Sequence, residues 1–481
     1  MMRKKQSILR AILAVILLAV LVGGCAPKKN ADNETVEPTA AKNADNETVE
    51  PTAAAGQSKP MNKPTKTPTP TVVFGPDTAQ VESYTIDELR NKKEVVIPDF
   101  YTQKGERPLL VVLMDYENSV YAYDEAYEQA WSDYIFGTGT QEEGTASVND
   151  YFQEVSNGKF RFVPILLGDN STGVYTFHLN KEYSDEQFIH PEYPFFDFSY
   201  DLAFCMSELA EQGLNLDDFA ADGIDGENYR EVLMGAWDWS PNGRNKEYYI
   251  KPGILVVFPD VNAAKVDLTP INNRFDQYCL YAHVNETSSF GTICHELTHL
   301  MGAFDIYNFG VFGSDLMAYG INIEGSEYNV THINPYYNVL YGWCDVDVLR
   351  GDGTYRLYSS ATGKYRPLLI STDDPNQYFL IEYRTAEGFD SQLKNGASLN
   401  ATTGVTIWRV DQAAMNVTRV PEETRPALTM EKILSSDGRT QLSYFSGFNQ
   451  ARNMELKDAG IRIAVKSADE NGTRVIEITR E

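Results

Sequence analysis

Histidine is scarce in this chain, with six in 481 residues. At that frequency, HExxH should arise by accident in about one such chain in two hundred. Cysteine is rarer still, five in all, and none sits in a CxxC pair. Cys205, Cys279, Cys294 and Cys344 are spread too widely over a large body to form a disulfide framework, so free thiols are expected. Bases are outnumbered: 41 Lys and Arg face 68 Asp and Glu, for a formal charge of −27. Residues 1–25 hold four bases and no acid, and residues 26–73 balance six of each, so the remaining body is more acidic again. Phosphates would be repelled, which argues against nucleic acid or anionic lipid as a partner.

The apolar run Ala11 to Val22 is uninterrupted but short of the roughly 20 residues a membrane span needs. With Arg3, Lys4, Lys5 and Arg10 ahead of it, residues 1–25 read as a secretion signal. The segment Val22-Gly23-Gly24-Cys25 resembles a bacterial lipoprotein box, which implies cleavage before Cys25 and its lipidation on the outer face of the cell membrane. Residues 26–73 contain an eleven-residue repeat, at 31–41 and 44–54, then a Lys-Pro-Thr-rich stretch. With almost no large apolar residues they cannot bury a core, and they read as a disordered tether of about 40 Å reach.

What stands out in the body is His295-Glu296-Leu297-Thr298-His299-Leu300-Met301-Gly302-Ala303-Phe304-Asp305. Positions i and i+4 lie one above the other on a helix, so His295 and His299 can address one metal ion. Glu296 stands beside them, placed to take a proton from water at that metal. Gly302 can end the helix in the left-handed conformation, after which a turn brings Asp305 back as third ligand. That makes an open-position zinc site. A buried amphipathic helix would explain Ile293, Leu297 and Leu300, yet it leaves the histidines and the glutamate without a reason. Ser288 or Ser289 is expected to cap the helix.

Downstream, Ser314-Asp315-Leu316-Met317-Ala318-Tyr319-Gly320 resembles the methionine turn of the metzincin metalloproteases. The resemblance implies that Met317 forms an apolar floor beneath the ligands and that Tyr319 reaches the metal or an oxyanion.

About 400 residues follow the tether, enough for two subdomains. Strands are expected at Leu109 to Met114, Lys159 to Leu167 and Ile254 to Phe258, with helices at Asp124 to Ile135 and Ser147 to Val155. Residues 74–350 thus read as an α/β catalytic subdomain, a mixed sheet plus the zinc helix. From 351 to 481 short strand-like runs separated by turns predict a mainly antiparallel β subdomain. These runs are Tyr355 to Tyr358, Pro367 to Ser371, Tyr378 to Tyr383, Val405 to Val410, Ile461 to Val465 and Val475 to Ile478.

Together these pieces resemble the immune inhibitor A family of secreted bacterial zinc metalloproteases. Beyond the zinc helix, the likeness runs through the strand Pro108 to Asp115 and the Ser-x-Gly-Lys segment at Ser156 to Lys159. It continues in the Gly-Trp helix Asn334 to Trp343, the strand Tyr378 to Arg384, Gly388 to Asp390, and Gly404 to Asp411. It covers roughly residues 105–411 and implies a metzincin-like fold. Asp222 to Glu227 matches the family's calcium-like stretch only in part; it reads as an acidic surface turn, with calcium as the alternative. His283, where relatives often carry a histidine, reads as structural.

The resulting expectation is a lipid-anchored extracellular zinc endopeptidase acting on proteins or peptides. His295, His299 and Asp305 hold zinc, Glu296 is general base, and Tyr319 steadies the oxyanion. Glu324 or Glu327 would replace Asp305 in a gluzincin arrangement. The rival readings are a non-catalytic surface-binding lipoprotein and a zinc hydrolase acting on a non-peptide bond.

Overall fold

The structure is a computed structural model. It describes residues 77–98, 102–119, 121–182, 198–220, 249–259, 265–270, 278–306, 315–318, 320, 328, 330–395, 403–415, 428–434, 453–466 and 472–480. The signal, the tether and Cys25 lie outside the described residues, as do Asp222 to Glu227, Tyr319, Glu324 and Glu327. Every described residue belongs to the unit Val72–Glu481.

In chain order the first elements are β1 Gln80–Tyr84, α1 Ile86–Lys92, β2 Gly105–Tyr116, α2 Glu125–Phe136, α3 Val148–Val155, β3 Phe160–Pro164 and β4 Val174–Leu179. Then come α4 Phe198–Glu211, β5 Gly253–Phe258, β6 Lys265–Pro270, β7 Tyr278–Asn285, α5 Phe290–His299 and α6 Pro335–Leu340. Period-two alternation in β2 sets the layering. Leu109, Val111 and Leu113 face one apolar cluster, which also takes Phe290, Ile293 and Leu297 of α5 and Leu300 just past its end. Leu110, Val112, Met114 and Tyr116 face the other, with Leu202, Met206 and Leu209 of α4. Leu109 to Met114 are fully buried, each contributing about 1.5–3 kcal/mol against exposure to water.

These strands form a six-stranded mixed sheet in the order β3-β2-β5-β7-β6, with β4 also pairing β2. Strands β3, β4 and β5 run parallel to β2, β7 runs parallel to β5, and β6 is antiparallel to β7. A parallel sheet needs cover on both faces, and α4 on one side and α5 on the other supply it.

The rest of the chain gives β8 Val346–Gly351, β9 Gly353–Tyr358, β10 Leu368–Ser371, β11 Gln377–Arg384, β12 Gly404–Asp411, β13 Leu428–Leu434, β14 Asn453–Leu456, β15 Ile461–Val465 and β16 Thr473–Arg480. Six strands pair in the order β1-β8-β10-β11-β12-β13, and four in the order β14-β15-β16-β9. All ladders here are antiparallel except β8 with β10.

The expected boundary at 350/351 falls inside β8, and β1, from the front of the chain, pairs with that strand. Tyr378 and Leu380 of β11, with Trp408 and Val410 of β12, share the apolar cluster of α5. Their neighbours Phe379, Ile381, Val405 and Ile407 face the four-stranded sheet. The β-rich region thus shares one apolar cluster with the helix that carries the histidines.

Candidate metal centre

Strand β7 delivers the chain to α5 through a tight turn, in which Asn285 Oδ1 accepts from Thr287 N at 2.9 Å and Ser288 Oγ at 3.1 Å. With Ser288 spent there, the cap is Ser289, extended at φ −66°, ψ 157°, whose Oγ accepts from Thr292 N at 3.2 Å. Ile293, Cys294 and Leu297 anchor the helix in the core. That leaves His295 and His299 one above the other. The helix ends at His299, and Gly302 at φ +87° donates its N–H to His299 O at 2.8 Å. A side chain there would cost about 1–2 kcal/mol in the left-handed region.

After that reversal, Ile306 N donates to Met317 O at 2.8 Å and ties the returning strand to the next turn. Asp305 therefore comes back over the helix. Its Oδ1 lies 3.1 Å from His295 Nε2 and 3.4 Å from His299 Nε2, and the two Nε2 atoms are 3.0 Å apart. Among the described residues, these three are the group of metal-ligand type whose atoms all lie within 4.8 Å of one another. The rings are sealed in, at 3 % and 4 % side-chain exposure; Asp305 keeps 38 %, but its Oδ1, the oxygen that faces the rings, is buried.

The other ring nitrogens settle the protons. His295 Nδ1 is 2.8 Å from Leu316 O, and His299 Nδ1 is 2.8 Å from Ala303 O. A carbonyl oxygen only accepts, so each Nδ1 carries its hydrogen and each Nε2 presents a lone pair. Two imidazole nitrogens and a carboxylate oxygen converge closely enough to share one cation. Ligand atoms about 2.0–2.2 Å from one tetrahedral ion stand roughly 3.3 Å apart, which the observed edges approach. The donor set, two imidazoles and a carboxylate, suits a divalent transition metal.

Glu296 is buried on the same helix, adjacent to the first ligand. Met317 is fully buried in the cluster that holds α5. Its turn is shaped by Asp315, whose Oδ1 accepts from Met317 N at 2.8 Å and whose carbonyl accepts from Ala318 N and Gly320 N. Gly320 closes that turn: a Cβ there would sit 2.2 Å from Thr331 Oγ1 and 2.4 Å from Asp315 O. Burial pushes the Asp315 carboxyl up to about 7, despite the nearby Arg384. Tyr319 lies outside the described residues.

His283 is buried between the rings of Phe258 and Tyr281, at centroid distances of 5.4 and 5.9 Å, and takes no part in the three-ligand group. Cys205, Cys279, Cys294 and Cys344 are buried, and burial pushes all four thiols up.

Sequence reasoning missed a buried charged group behind the methionine turn. His332 Nε2 meets Glu154 Oε1 at 2.7 Å, and Arg384 Nε donates to Asp390 Oδ2 at 2.9 Å. Glu154, His332 and the pair Arg384 and Asp390 come from three separate stretches, so no local spacing could reveal the group. A lone His332 outside any motif was the one available signal.

No protein-family model and no curated protein matches the chain. Among solved structures it is similar to wild type OgpA from Akkermansia muciniphila, with 11% identity and a TM-score of 0.25 over 67% of this chain and 90% of that one. It is also similar to catalytic inactive OgpA in complex with an O-glycopeptide (glycodrosocin) substrate, at 10% identity and a TM-score of 0.24 over the same shares. Scores of this size assign neither a fold nor an activity.

Proposed function

We propose that this chain is a zinc-dependent metalloendopeptidase of metzincin-like build, secreted and held at the outer face of the cell membrane by a lipid on Cys25. The observation that carries the reading is the triangle of His295 Nε2, His299 Nε2 and Asp305 Oδ1, with edges of 3.0–3.4 Å and both Nδ1 protons committed to carbonyls.

These three residues would hold the ion. When bound, zinc acidifies water toward neutrality and polarises a carbonyl group. Glu296, buried beside His295, takes the proton of the attacking water on its carboxylate and returns it to the leaving amine. Tyr319 steadies the oxyanion. Met317 packs the apolar floor. The presence of Glu296 separates this reading from a binding lipoprotein, since a structural metal site has no use for a base.

Casein hydrolysis by the purified protein, stopped by a chelator and restored by zinc, is the expected result. Intact casein alongside stoichiometric zinc would favour a non-peptide substrate, and no zinc at all would overturn the reading. The anchor is tested by feeding cells a radiolabelled fatty acid; label should enter the protein and be absent from Cys25→Ser.

A further inference from the structure

His332 is 2 % exposed. Its N–H donates to Asp390 Oδ1 at 2.9 Å. Its carbonyl accepts from Leu316 N at 3.3 Å and from Arg384 Nη2 at 3.4 Å. Ring Nε2 meets Glu154 Oε1 at 2.7 Å, and Nδ1 stands 3.6 Å from Asp390 Oδ2. Arg384 grips Asp390 through Nε at 2.9 Å and Nη2 at 2.5 Å. Glu154 also accepts from Phe389 N at 2.7 Å. The partners come from α3, from β11 and from the turn at Gly388–Asn395, so His332 joins the β-rich layer to the catalytic one.

Leu316 is the junction. Its N–H goes to His332 O, and its carbonyl receives His295 Nδ1. Resting on the metal-centre reading above, we infer that His332 is a positioning residue: with Glu154, Asp390 and Arg384 it holds the Leu316 main chain, which in turn aims His295 Nε2 at the metal.

A cluster of buried charges is a poor source of stability, because well-packed apolar residues of similar volume often serve as well or better. Its connection to Leu316 supplies the reason for keeping it. Burial pulls the His332 imidazole toward neutrality, and the Asp390 and Glu154 carboxylates more than offset this, so the charged ring is favoured. Second partners of metal-binding histidines carry a known cost when lost, about 10–100-fold in metal affinity or activity. Here the partner is a main-chain carbonyl that mutation cannot remove, and His332 is the side chain through which it can be disturbed.

The test compares the intact chain with His332→Ala, His332→Gln, Glu154→Gln and, as a control, Tyr355→Phe. Tyr355 donates a buried hydrogen bond to Asp347 and does not touch Leu316. Zinc affinity is read by competition with a chromophoric chelator, and ligand geometry by the visible spectrum of the cobalt-loaded protein. His332→Ala should lose about 10–100-fold in zinc affinity and alter the cobalt bands. His332→Gln, which keeps a donor toward Glu154, should recover most of both. Tyr355→Phe should match wild type in both readouts even where its unfolding midpoint falls.

Wild-type affinity and spectrum in His332→Ala would overturn the proposal, as would equal changes in Tyr355→Phe. Should His332→Ala fail to fold, Glu154→Gln decides, with a several-fold loss of affinity expected and no loss overturning. A wild type that binds zinc beside variants that bind it equally well sinks only the role of His332. A wild type that binds none sinks the metal centre and this proposal with it.

Discussion

His295 Nδ1 lies 2.8 Å from the main-chain oxygen of Leu316, a residue 21 positions further along the chain. That contact fixes the tautomer and the rotation of the first ligand together. It also makes the residue before Met317 part of the centre through its backbone. The turn at 315–320 therefore contributes in two ways: Met317 fills space in the core, and Leu316 orients the His295 ring.

Removing the base should separate chemistry from binding. Glu296→Gln is expected to lower kcat on casein by about 10²–10⁴-fold while one zinc per chain is retained. Kinetics paired with metal analysis of the same sample checks it. Undiminished turnover would take Glu296 out of the mechanism.

The third ligand is open to direct test. Asp305→Asn should weaken zinc binding by more than the roughly 10–100-fold typical of an outer partner, whereas Glu324→Gln and Glu327→Gln should leave it near wild type. Equilibrium dialysis against a graded chelator distinguishes the two arrangements. A glutamate variant losing zinc where Asp305→Asn does not would indicate the gluzincin arrangement.

Gly302→Ala places a Cβ at φ +87°. The expected loss is about 1–2 kcal/mol in urea unfolding. Because the reversal carries Asp305 to the rings, zinc retention should fall as well. Unchanged stability and metal content would show that the turn tolerates another conformation.

The pH dependence of stability carries the signature of His332. Its imidazole faces Glu154 from α3, Asp390 from the turn at Gly388–Asn395, and Arg384 from β11. Burial opposes the charged ring and the two carboxylates prevail, so the folded pKa lies above the ordinary 6.5. A raised pKa stabilises the fold fully below about pH 6.5, and the contribution fades as pH rises through the folded value. The gap in unfolding midpoint between wild type and His332→Gln should therefore be widest in mild acid and narrow toward pH 9. A gap that widens with pH would reverse the assignment.

Legibility differed from element to element for physical reasons. The helix around His295 announces itself because its cap, its apolar stripe, its ligands and Gly302 all lie within fourteen residues of one another, from Ser289 to Gly302. Helices α2 and α3 were expected at Asp124 to Ile135 and Ser147 to Val155, and in the structure Asp124 and Ser147 cap them by accepting from Tyr127 N and Asp150 N. Helix α4 and strand β6 were not anticipated, since they lack comparable local punctuation. Strand β1 could not be placed from sequence at all, because its partner β8 begins 262 positions after Tyr84, at Val346.

The order of residues alone determined which side chains could bind a metal, since a helical repeat puts positions four apart on one face whatever surrounds them. It also narrowed the start of that helix to Ser288 or Ser289 and marked Gly302 as the place where it could not continue. Only the tertiary structure decided that Asp305 returns to within 3.4 Å of both rings, and that Leu316 receives the proton of His295. Only it brought Glu154, His332, Arg384 and Asp390 together. Such contacts form when strands and loops far apart in the chain pack on a common core, and nothing in the spacing of neighbouring residues records which distant partner they will meet.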